Sequence, residues 1–336
     1  MAIRIGELSF CDLPSPPPPQ GRDVNIRVIA AGICGSDVHI WRGTNPFATY
    51  PRVMGHEVVG EVIETGPDVK ALKTSDRVIV NQIRSCEKCY ACRIGRPNVC
   101  KSLRVMGVHF DGGFQEFIQI PETSALLLPD ELPSTDAVMI EPMSIAVQSC
   151  WRAGLNEDDT LLILGAGALG SSILRIARNY KIKIIVADIF NEKLSIALEN
   201  GADYIINNKE QDLQKELERV TDGYGPTVAI DAACYPGSLR QLVEVTGNAG
   251  RVVNMGFSAN EERIPPVLIT GREIEIRGSR LQSNKFPEVI DLIKTNRLSL
   301  KGMVSHVMPF SEAIDAMELA AGGRGDVRKI VLAMDD

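Results

Sequence analysis

Four cysteines lie within fifteen residues of one another in the first third of the chain. Four thiolates this close in sequence can complete the tetrahedral shell of a zinc ion and leave no position open for substrate. The alternative is a pair of disulfides, which a reducing compartment disfavours. The spacing C-x2-C-x2-C-x7-C therefore predicts a structural zinc site in a lobe over residues 84–102, with four sulfur ligands: Cys86, Cys89, Cys92 and Cys100.

A second set of metal-binding residue types comes from separate segments of the chain. Cys34 offers a thiolate, His56 offers an imidazole, and either Glu57 or Glu141 could add a carboxylate. A mixed set of this kind can hold zinc with one position open for substrate. Taken singly, each residue also has an ordinary interpretation: Cys34 as a small core residue, His56 as a loop histidine and Glu141 as a surface acid.

A glycine-rich turn indicates a dinucleotide site. The run Gly165-Ala166-Gly167-Ala168-Leu169-Gly170 follows a predicted strand and opens a predicted helix, and Asp188 ends the next predicted strand. Glycines at these positions allow a tight turn and a close approach of a pyrophosphate to the helix N-terminus. Asp188 can accept both ribose hydroxyls of an adenosine and would repel a 2′-phosphate, so the pattern favours NAD over NADP. The alternatives are glycines that only pack a helix on a strand, and an aspartate that caps a helix.

Composition and charge bound the class of protein. The chain has 336 residues, of which 44% are hydrophobic and 24% charged, as in a soluble globular protein of two domains. A net charge of -7 without a basic stripe predicts that nucleic acid is not a partner. The N-terminus lacks a signal-peptide pattern, and no apolar run approaches the roughly eighteen residues of a membrane span. We therefore expect a cytoplasmic protein with no membrane segment.

The elements that must position these residues change in type near Glu141. Before it, short apolar runs separated by Gly, Pro and charged residues predict strands such as 24–30 and 58–64. From Asp159 onward, predicted strands such as 160–164 alternate with helices. This alternation predicts an α/β fold with a doubly wound parallel sheet that helices cover on both faces, preceded by a β-rich region.

Together these motifs resemble the zinc-dependent medium-chain dehydrogenase/reductase family, and its sorbitol and threonine dehydrogenase branch in particular. The resemblance implies a β-rich GroES-like catalytic domain formed by residues 1–145 and 286–336, and a Rossmann NAD-binding domain over residues 146–285. It also implies two zinc ions per chain, one catalytic and one structural, NAD as cofactor, and a homo-oligomer (dimer or tetramer). The motifs that carry it stand in the family's order: Gly55-His56-Glu57-x-x-Gly60, the four-cysteine lobe, Ile140-Glu141-Pro142 and Gly165-Ala166-Gly167.

The resemblance assigns the catalytic metal. Cys34, His56 and Glu141 match zinc-ligand positions. Glu57 matches a residue that is a ligand in some members and a second-shell or exchanging ligand in others. Asp37 matches the acid that orients the zinc-bound histidine, a common arrangement behind a metal-bound imidazole.

The resemblance also implies a proton relay and a set of cofactor contacts. Ser36 and His39 match the relay, so the expected catalytic residues are Ser36, His39 and Glu57. Gly35 departs from members that carry a basic residue there in contact with the cofactor pyrophosphate. The expected cofactor-binding residues are Gly165, Gly167, Gly170, Asp188, Lys193, Met255, Gly256 and Ser279.

Three stretches narrow the resemblance to a bacterial sub-branch. Residues 45–53, 106–114 and 278–287 are similar to the starvation-sensing Rsp-type dehydrogenases and to hexonate 5-dehydrogenases acting on L-galactonate, L-gulonate or L-idonate. This similarity implies oxidation of a secondary alcohol to a ketone on a sugar acid or polyol. The alternatives are a threonine, butanediol or sugar-phosphate dehydrogenase of the same branch, and a non-catalytic sensor that binds NAD.

A sugar acid needs a cation for its carboxylate. Arg280 and Lys285 are the expected substrate-binding cations, with Arg52 as a third candidate. His109 could donate a hydrogen bond to a sugar hydroxyl. The alternative is that the cations are solvated surface groups and that His109 is a structural loop residue.

Overall fold

The computed structural model describes residues 2–322 and 327–334 and divides the chain into two compact units. The first unit comprises Met1–Glu141 and Phe286–Asp336, and the second comprises Pro142–Lys285. The second unit is thus inserted into the chain of the first.

The described residues form short strands and helices throughout. The strands are β1 (Ala2–Arg4), β2 (Glu7–Leu8), β3 (Asp23–Ile33), β4 (Glu57–Thr65), β5 (Arg77–Val80), β6 (Ile83–Arg84), β7 (Arg104–Val105), β8 (Phe117–Pro121), β9 (Ala125–Leu127), β10 (Thr160–Leu164), β11 (Lys183–Asp188), β12 (Tyr204–Asn207), β13 (Val228–Asp231), β14 (Arg251–Asn254), β15 (Glu275–Gly278), β16 (His306–Pro309) and β17 (Ile330–Ala333). The helices are α1 (Gly35–Trp41), α2 (Tyr90–Arg93), α3 (Ser134–Ala137), α4 (Ile140–Ala153), α5 (Ala168–Ala177), α6 (Asn191–Glu199), α7 (Leu213–Val220), α8 (Ser238–Val245), α9 (Pro266–Thr270), α10 (Phe286–Lys294) and α11 (Ala313–Gly322).

The first unit is built on a largely antiparallel seven-stranded sheet in the order β16-β17-β3-β4-β5-β9, with β8 also paired to β3. The long strand β3 is rich in Val and Ile and almost wholly buried, so it forms the centre of this sheet. On one edge β8 pairs with the first half of β3, and β17 pairs with the second half. The C-terminal segment therefore completes the sheet beside the end of β3, where Cys34 follows.

The second unit is a six-stranded parallel sheet in the order β12-β11-β10-β13-β14-β15. Its central strands are continuous apolar runs that are buried along nearly their whole length, as expected when helices cover both faces. The order reverses between β10 and β13, and ligands of such sheets bind outside the carboxyl ends of the strands at this reversal. The predicted α/β class with a parallel sheet is confirmed.

No helix among residues 2–322 and 327–334 combines the length and the apolar composition that crossing a bilayer requires.

A buried carboxylate fixes one end of the antiparallel sheet. Glu122 follows β8, and its carboxylate accepts hydrogen bonds from the backbone N–H groups of Ala71 and Lys70 and from the Arg22 guanidinium, the last at 2.7 Å. Its side chain is 3% exposed. The Ala71 N–H, then Arg22 and the Lys70 N–H, lower the pKa of Glu122 to about 2.

This depressed pKa predicts how the stability of the first unit depends on pH. Because the unfolded glutamate has a pKa of about 4.3, the ionised carboxylate stabilises the fold above that pH, and the effect disappears as pH falls toward 2. Glu122→Gln should therefore lower the melting temperature by a few degrees at pH 7. The deficit relative to the parent should shrink as pH falls below about 4. Thermal unfolding followed by circular dichroism between pH 7 and pH 3 measures both.

The exposed Glu131 provides the matched control, since Glu131→Gln removes a carboxylate from the same unit without these donors. A melting-temperature deficit for Glu122→Gln that stays constant or widens on acidification would contradict the stabilising role assigned to the Glu122 carboxylate.

Candidate metal centres and nucleotide site

The four clustered cysteines meet around one point. Their sulfur atoms all lie within 4.8 Å of one another. The Cys89 sulfur lies 3.5 Å from that of Cys92 and 3.9 Å from that of Cys100, distances too long for a disulfide. Hydrogen bonds from the backbone N–H groups of Cys92 and Lys101 lower the pKa of Cys89 to about 6. A cluster of free thiols with backbone donors aimed at sulfur fits a tetrahedral zinc ion.

The second group of predicted ligands forms where β3 ends and β4 begins. Cys34 lies between β3 and α1, and His56 and Glu57 stand at the start of β4. One ligand atom from each of these three residues lies within 4.8 Å of the others. Gly32 faces Glu57 across the β3–β4 ladder, and a Cβ atom on Gly32 would lie 2.1 Å from the Glu57 carboxylate. Because glycine has no Cβ atom, Gly32 leaves the space that the Glu57 carboxylate occupies.

Asp37 connects the two segments that carry Cys34 and His56. It is fully buried, and its carboxylate accepts from the backbone N–H of Cys34 at 2.9 Å and from that of Gly55 at 3.2 Å. The Asp37 carboxylate also lies 3.7 Å from His56 Nδ1, a buried atom for which the described part of the chain provides no hydrogen-bond partner. Burial alone would lower the pKa of His56, but the nearby Asp37 carboxylate and the Cys34 sulfur raise it well above its usual value.

Glu57 is paired with a lysine that the sequence analysis did not single out. Lys329 Nζ donates to both carboxylate oxygens of Glu57, at 2.6 and 2.8 Å, and to the Ile33 carbonyl at 3.2 Å. Both side chains are buried, at 6% and 1% exposure. Burial would lower the pKa of Lys329, but the Glu57 carboxylate and the Cys34 sulfur raise it above its usual value.

Glu141, the other predicted carboxylate ligand, is placed differently. It is buried, and Gln82 Nε2 donates a hydrogen bond to it. Burial raises the pKa of Glu141 to about 7, opposed by the charge of His56 and reinforced by that of Glu57. The structure thus brings Glu57 into the group with Cys34 and His56, and leaves Glu141 close enough to His56 and Glu57 to interact with them electrostatically.

The predicted relay residues lie on α1. Ser36 Oγ is 3.4 Å from His56 Nε2, so this hydroxyl stands beside the candidate metal centre. His39 is exposed, and its Nδ1 lies 2.8 Å from Thr44 Oγ1. Since Ser36 and His39 are three residues apart on a helix, they share one face of it.

The glycine-rich turn has the geometry of a pyrophosphate cradle. Gly165 has a φ of 103°, and a Cβ there would lie 2.8 Å from the Ala233 nitrogen. A Cβ on Gly170 would lie 1.8 Å from the Gly165 carbonyl oxygen, whereas one on Gly167 would meet nothing within 4 Å. The outer glycines therefore serve the turn and the packing of α5 on β10, and the middle one leaves space for a ligand.

Asp188 closes the same turn. Its carboxylate accepts from Ala166 N at 2.7 Å and from Phe190 N at 3.0 Å. The N-cap of α6 is Phe190, so Asp188 is not a helix cap. A carboxylate has acceptor sites beyond these two, which leaves capacity for ribose hydroxyls.

The remaining predicted cofactor contacts lie near the carboxyl ends of other strands of the parallel sheet. Met255 and Gly256 follow β14, and Lys193 on α6 stands 4.8 Å from the Phe190 ring centroid. Ser279 follows β15, and its buried Oγ has no hydrogen-bond partner among the described residues. An orphaned hydroxyl at this edge is consistent with a ligand that the cradle is shaped to hold.

The predicted substrate residues each make a contact within their own unit. Arg52 pairs with Asp111 at 2.9 Å. Arg280 lies over the Phe257 ring at 4.8 Å, and Lys285 lies over the Trp151 ring at 5.4 Å. The Val105 N–H donates to Nδ1 of His109 at 3.1 Å, as the structural interpretation of that histidine requires.

The buried Glu57–Lys329 pair predicts a link between zinc content and stability. Removing one partner of a buried ion pair leaves an uncompensated charge and costs about 3–5 kcal/mol. The metal-free Lys329→Met variant should therefore melt well below the metal-free parent. Zinc should restore more stability to the variant than it adds to the parent, because Glu57 is then free to meet the ion. Thermal unfolding with and without zinc, together with metal analysis, measures this.

Lys301→Met, at an exposed position in the same unit, is the control for loss of a lysine. A metal-free Lys329→Met protein as stable as the parent would refute the role assigned to the pair.

Comparisons with known proteins agree with this geometry. The profile of the "Alcohol dehydrogenase GroES-like domain" matches residues 20–130, and that of the "Zinc-binding dehydrogenase" matches residues 168–295. The starvation-sensing protein RspB of Escherichia coli K12 is 40% identical over 322 residues, which cover 95% of this chain and 94% of that protein. L-galactonate-5-dehydrogenase of the same organism is 31% identical over 311 residues, covering 90% and 89% of the two chains.

A solved structure extends the likeness to the fold. The alcohol dehydrogenase rspB of Escherichia coli CFT073, complexed with NADH, superposes with a TM-score of 0.94 at 39% identity, covering 99% of this chain and 97% of that one. The predicted family, fold class and enzyme class are thereby confirmed. The chain belongs to the zinc-dependent medium-chain alcohol dehydrogenases, with a GroES-like domain and a Rossmann-type nucleotide-binding domain.

Proposed function

We propose that this alcohol dehydrogenase oxidises a secondary alcohol of a sugar acid or polyol to a ketone at the Cys34–His56 centre, with NAD as the acceptor. One observation carries the proposal: a thiolate, an imidazole and a carboxylate converge within 4.8 Å beside the Ser36 hydroxyl. The likeness to L-galactonate-5-dehydrogenase supports a sugar acid as substrate.

The donor set fits a catalytic zinc ion. Cys34 and His56 would hold it, with Glu57 or Glu141 as the oxygen ligand, and the Asp37 carboxylate would fix the orientation of the imidazole from behind. When bound, zinc supplies a Lewis acid that polarises the substrate oxygen and lowers the pKa of the hydroxyl. Three protein ligands leave one coordination position for the substrate, which distinguishes this centre from the four-cysteine lobe.

The protein must also remove a proton. Ser36 Oγ lies next to His56 Nε2 and is therefore placed to accept the proton of a substrate hydroxyl. His39, exposed on the same face of α1, can exchange a proton with solvent. The balanced reaction converts the alcohol and NAD⁺ to the ketone, NADH and one proton.

The nucleotide unit determines which cofactor is used. NAD supplies the hydride acceptor. The open space at Gly167 can admit its pyrophosphate, and the Asp188 carboxylate would accept the ribose hydroxyls and repel a 2′-phosphate.

A substrate panel tests the proposed function directly. The zinc-loaded protein should reduce NAD with L-galactonate, L-gulonate or L-idonate, and NADP should be a much poorer acceptor. Polyols, threonine, butanediol and sugar phosphates belong in the same panel, read as absorbance of the reduced cofactor. Turnover confined to threonine or butanediol would replace the proposed substrate class, and no turnover with any alcohol while NAD still binds would favour the sensor.

Ser36 tests the proton path. Ser36→Ala should lower kcat by about 10²–10⁴-fold, the range of general acid–base contributions, with zinc content unchanged. Steady-state kinetics and metal analysis of the same preparation separate the two effects. Ser311→Ala, an exposed serine in the same unit, should leave kcat unaffected. Full activity in Ser36→Ala would remove that hydroxyl from the mechanism.

A further inference from the structure

Two arginines stand directly opposite each other on the small ladder at the base of the zinc lobe. In the antiparallel β6–β7 pair, Arg84 is the register partner of Arg104. Like charges directly opposite on neighbouring strands are destabilising. A two-stranded ladder has little other stabilisation, so an anion that binds between the two cations would relieve a repulsion within the fold.

An aromatic ring holds both guanidinium groups. The Arg84 guanidinium carbon lies 4.1 Å from the Phe110 ring centroid, and that of Arg104 lies 5.4 Å from the same centroid. Arg104 also donates to the His109 carbonyl at 3.3 Å. Among the described residues no acid forms an ion pair with either guanidinium, and the charge of Asp23 acts on the pKa of Arg84 less than burial and the charge of Arg104 do. Two cations are thus oriented on one ring without a neutralising carboxylate.

The arginine pair belongs to the same unit as the candidate metal centre and is connected to it through two segments of the chain. Arg84 is two residues from Gln82, whose Nε2 donates to Glu141. Phe110 belongs to a turn that packs on the backbone preceding His56: a Cβ on Gly107 in that turn would lie 2.9 Å from the Gly55 carbonyl oxygen. The segments that carry the arginine pair and its ring therefore both contact segments that carry candidate metal ligands.

A buried acceptor near this pair also lacks a partner. Gln82 is fully buried, and its Oε1 has no hydrogen-bond partner among the described residues. Buried amide oxygens are almost always paired, so this atom is suited to accept from a hydroxyl of a bound molecule. A polyhydroxylated anion would satisfy both the amide and the arginines.

We propose that Arg84 and Arg104 bind the anionic end of the substrate, with Phe110 as the platform that orients them. The inference rests on the proposed function and gives it a specific substrate class: sugar acids bound through the carboxylate, in preference to the corresponding neutral polyols. The planar guanidinium fork suits a two-oxygen anion. A phosphate ester shares this chemistry and forms a separate arm of the test.

Kinetics with a matched pair of substrates tests the proposal. L-galactonate and galactitol differ only in whether the terminal carbon is a carboxylate or an alcohol. Arg84→Gln and Arg104→Gln should each lower kcat/KM for L-galactonate by about 10- to 100-fold, the usual loss for a hydrogen bond between charged groups. The value for galactitol should change by less than about threefold. Arg93→Gln, an exposed arginine on the same lobe, should change neither substrate.

Binding measured without turnover keeps this test separate from that of the proposed function. Sodium L-galactonate should raise the melting temperature of the zinc-loaded parent more than galactitol does, and both glutamine variants should lose that difference. If inorganic phosphate gives the larger arginine-dependent shift, the site is confirmed with a phosphate ester as the ligand. If neither anion shifts the parent, or if the variants lose galactonate and galactitol turnover equally, the proposal is overturned.

The stability of the unliganded variants separates a binding role from a structural one. Removing one of two opposed cations should leave the melting temperature unchanged or raised. If the arginines served only to cover Phe110, both substitutions would lower it, and Arg84→Lys, which keeps the charge, would restore it.

Discussion

The contact on which the rest of the first unit depends is the buried ion pair of Glu57 and Lys329. It joins three separate parts of the chain: the end of β3 through the Ile33 carbonyl, the first residue of β4, and the residue that precedes β17. A lysine and a glutamate are almost never fully buried unless they are paired. Their pairing therefore places the C-terminal segment at the position where the candidate metal ligands of the N-terminal segment meet.

Charge balance among the buried groups explains why several acids can share one small region of the first unit. Asp37, Glu57 and Glu141 are all buried in one small region with the Cys34 thiol. Lys329, the backbone N–H groups that donate to Asp37, and a His56 whose pKa is raised by Asp37 offset this negative charge. A zinc ion held by Cys34 and His56 would add positive charge to the same region and offset these carboxylates further.

Local patterns in the sequence predicted much of the fold. The boundaries of β10 agree with the predicted strand 160–164, and β11 ends at Asp188 as predicted, because a buried parallel strand is a continuous apolar run that ends where its loop begins. The predicted strand 24–30 is shorter than the observed β3, which continues to Ile33. The cysteine lobe could be predicted because its four candidate ligands lie close together in the sequence.

What the sequence could not predict depends on long-range pairing. Lys329 is 272 residues from Glu57, and a single lysine before an apolar strand carries no signal of its burial. Arg84 and Arg104 become a pair only through the register of two short strands. Register depends on how the whole lobe closes, and side-chain periodicity over two residues does not encode it.

Lys329 and the pair of Arg84 and Arg104 have different surroundings in the first unit. This difference suggests that they have different roles. Lys329 is buried and fully occupied by carboxylate and carbonyl oxygens, so it can balance internal charge but has no donor capacity left for a ligand. Arg84 and Arg104 are less buried and lie on an aromatic ring that cannot neutralise them. The carboxylates of the metal centre would repel an anionic substrate unless nearby cations offset their negative charge where the substrate enters. The two arginines provide that compensating positive charge. They do so without competing for the zinc ligands, because a guanidinium group packed on the Phe110 ring does not pair with Glu57 as a free lysine would.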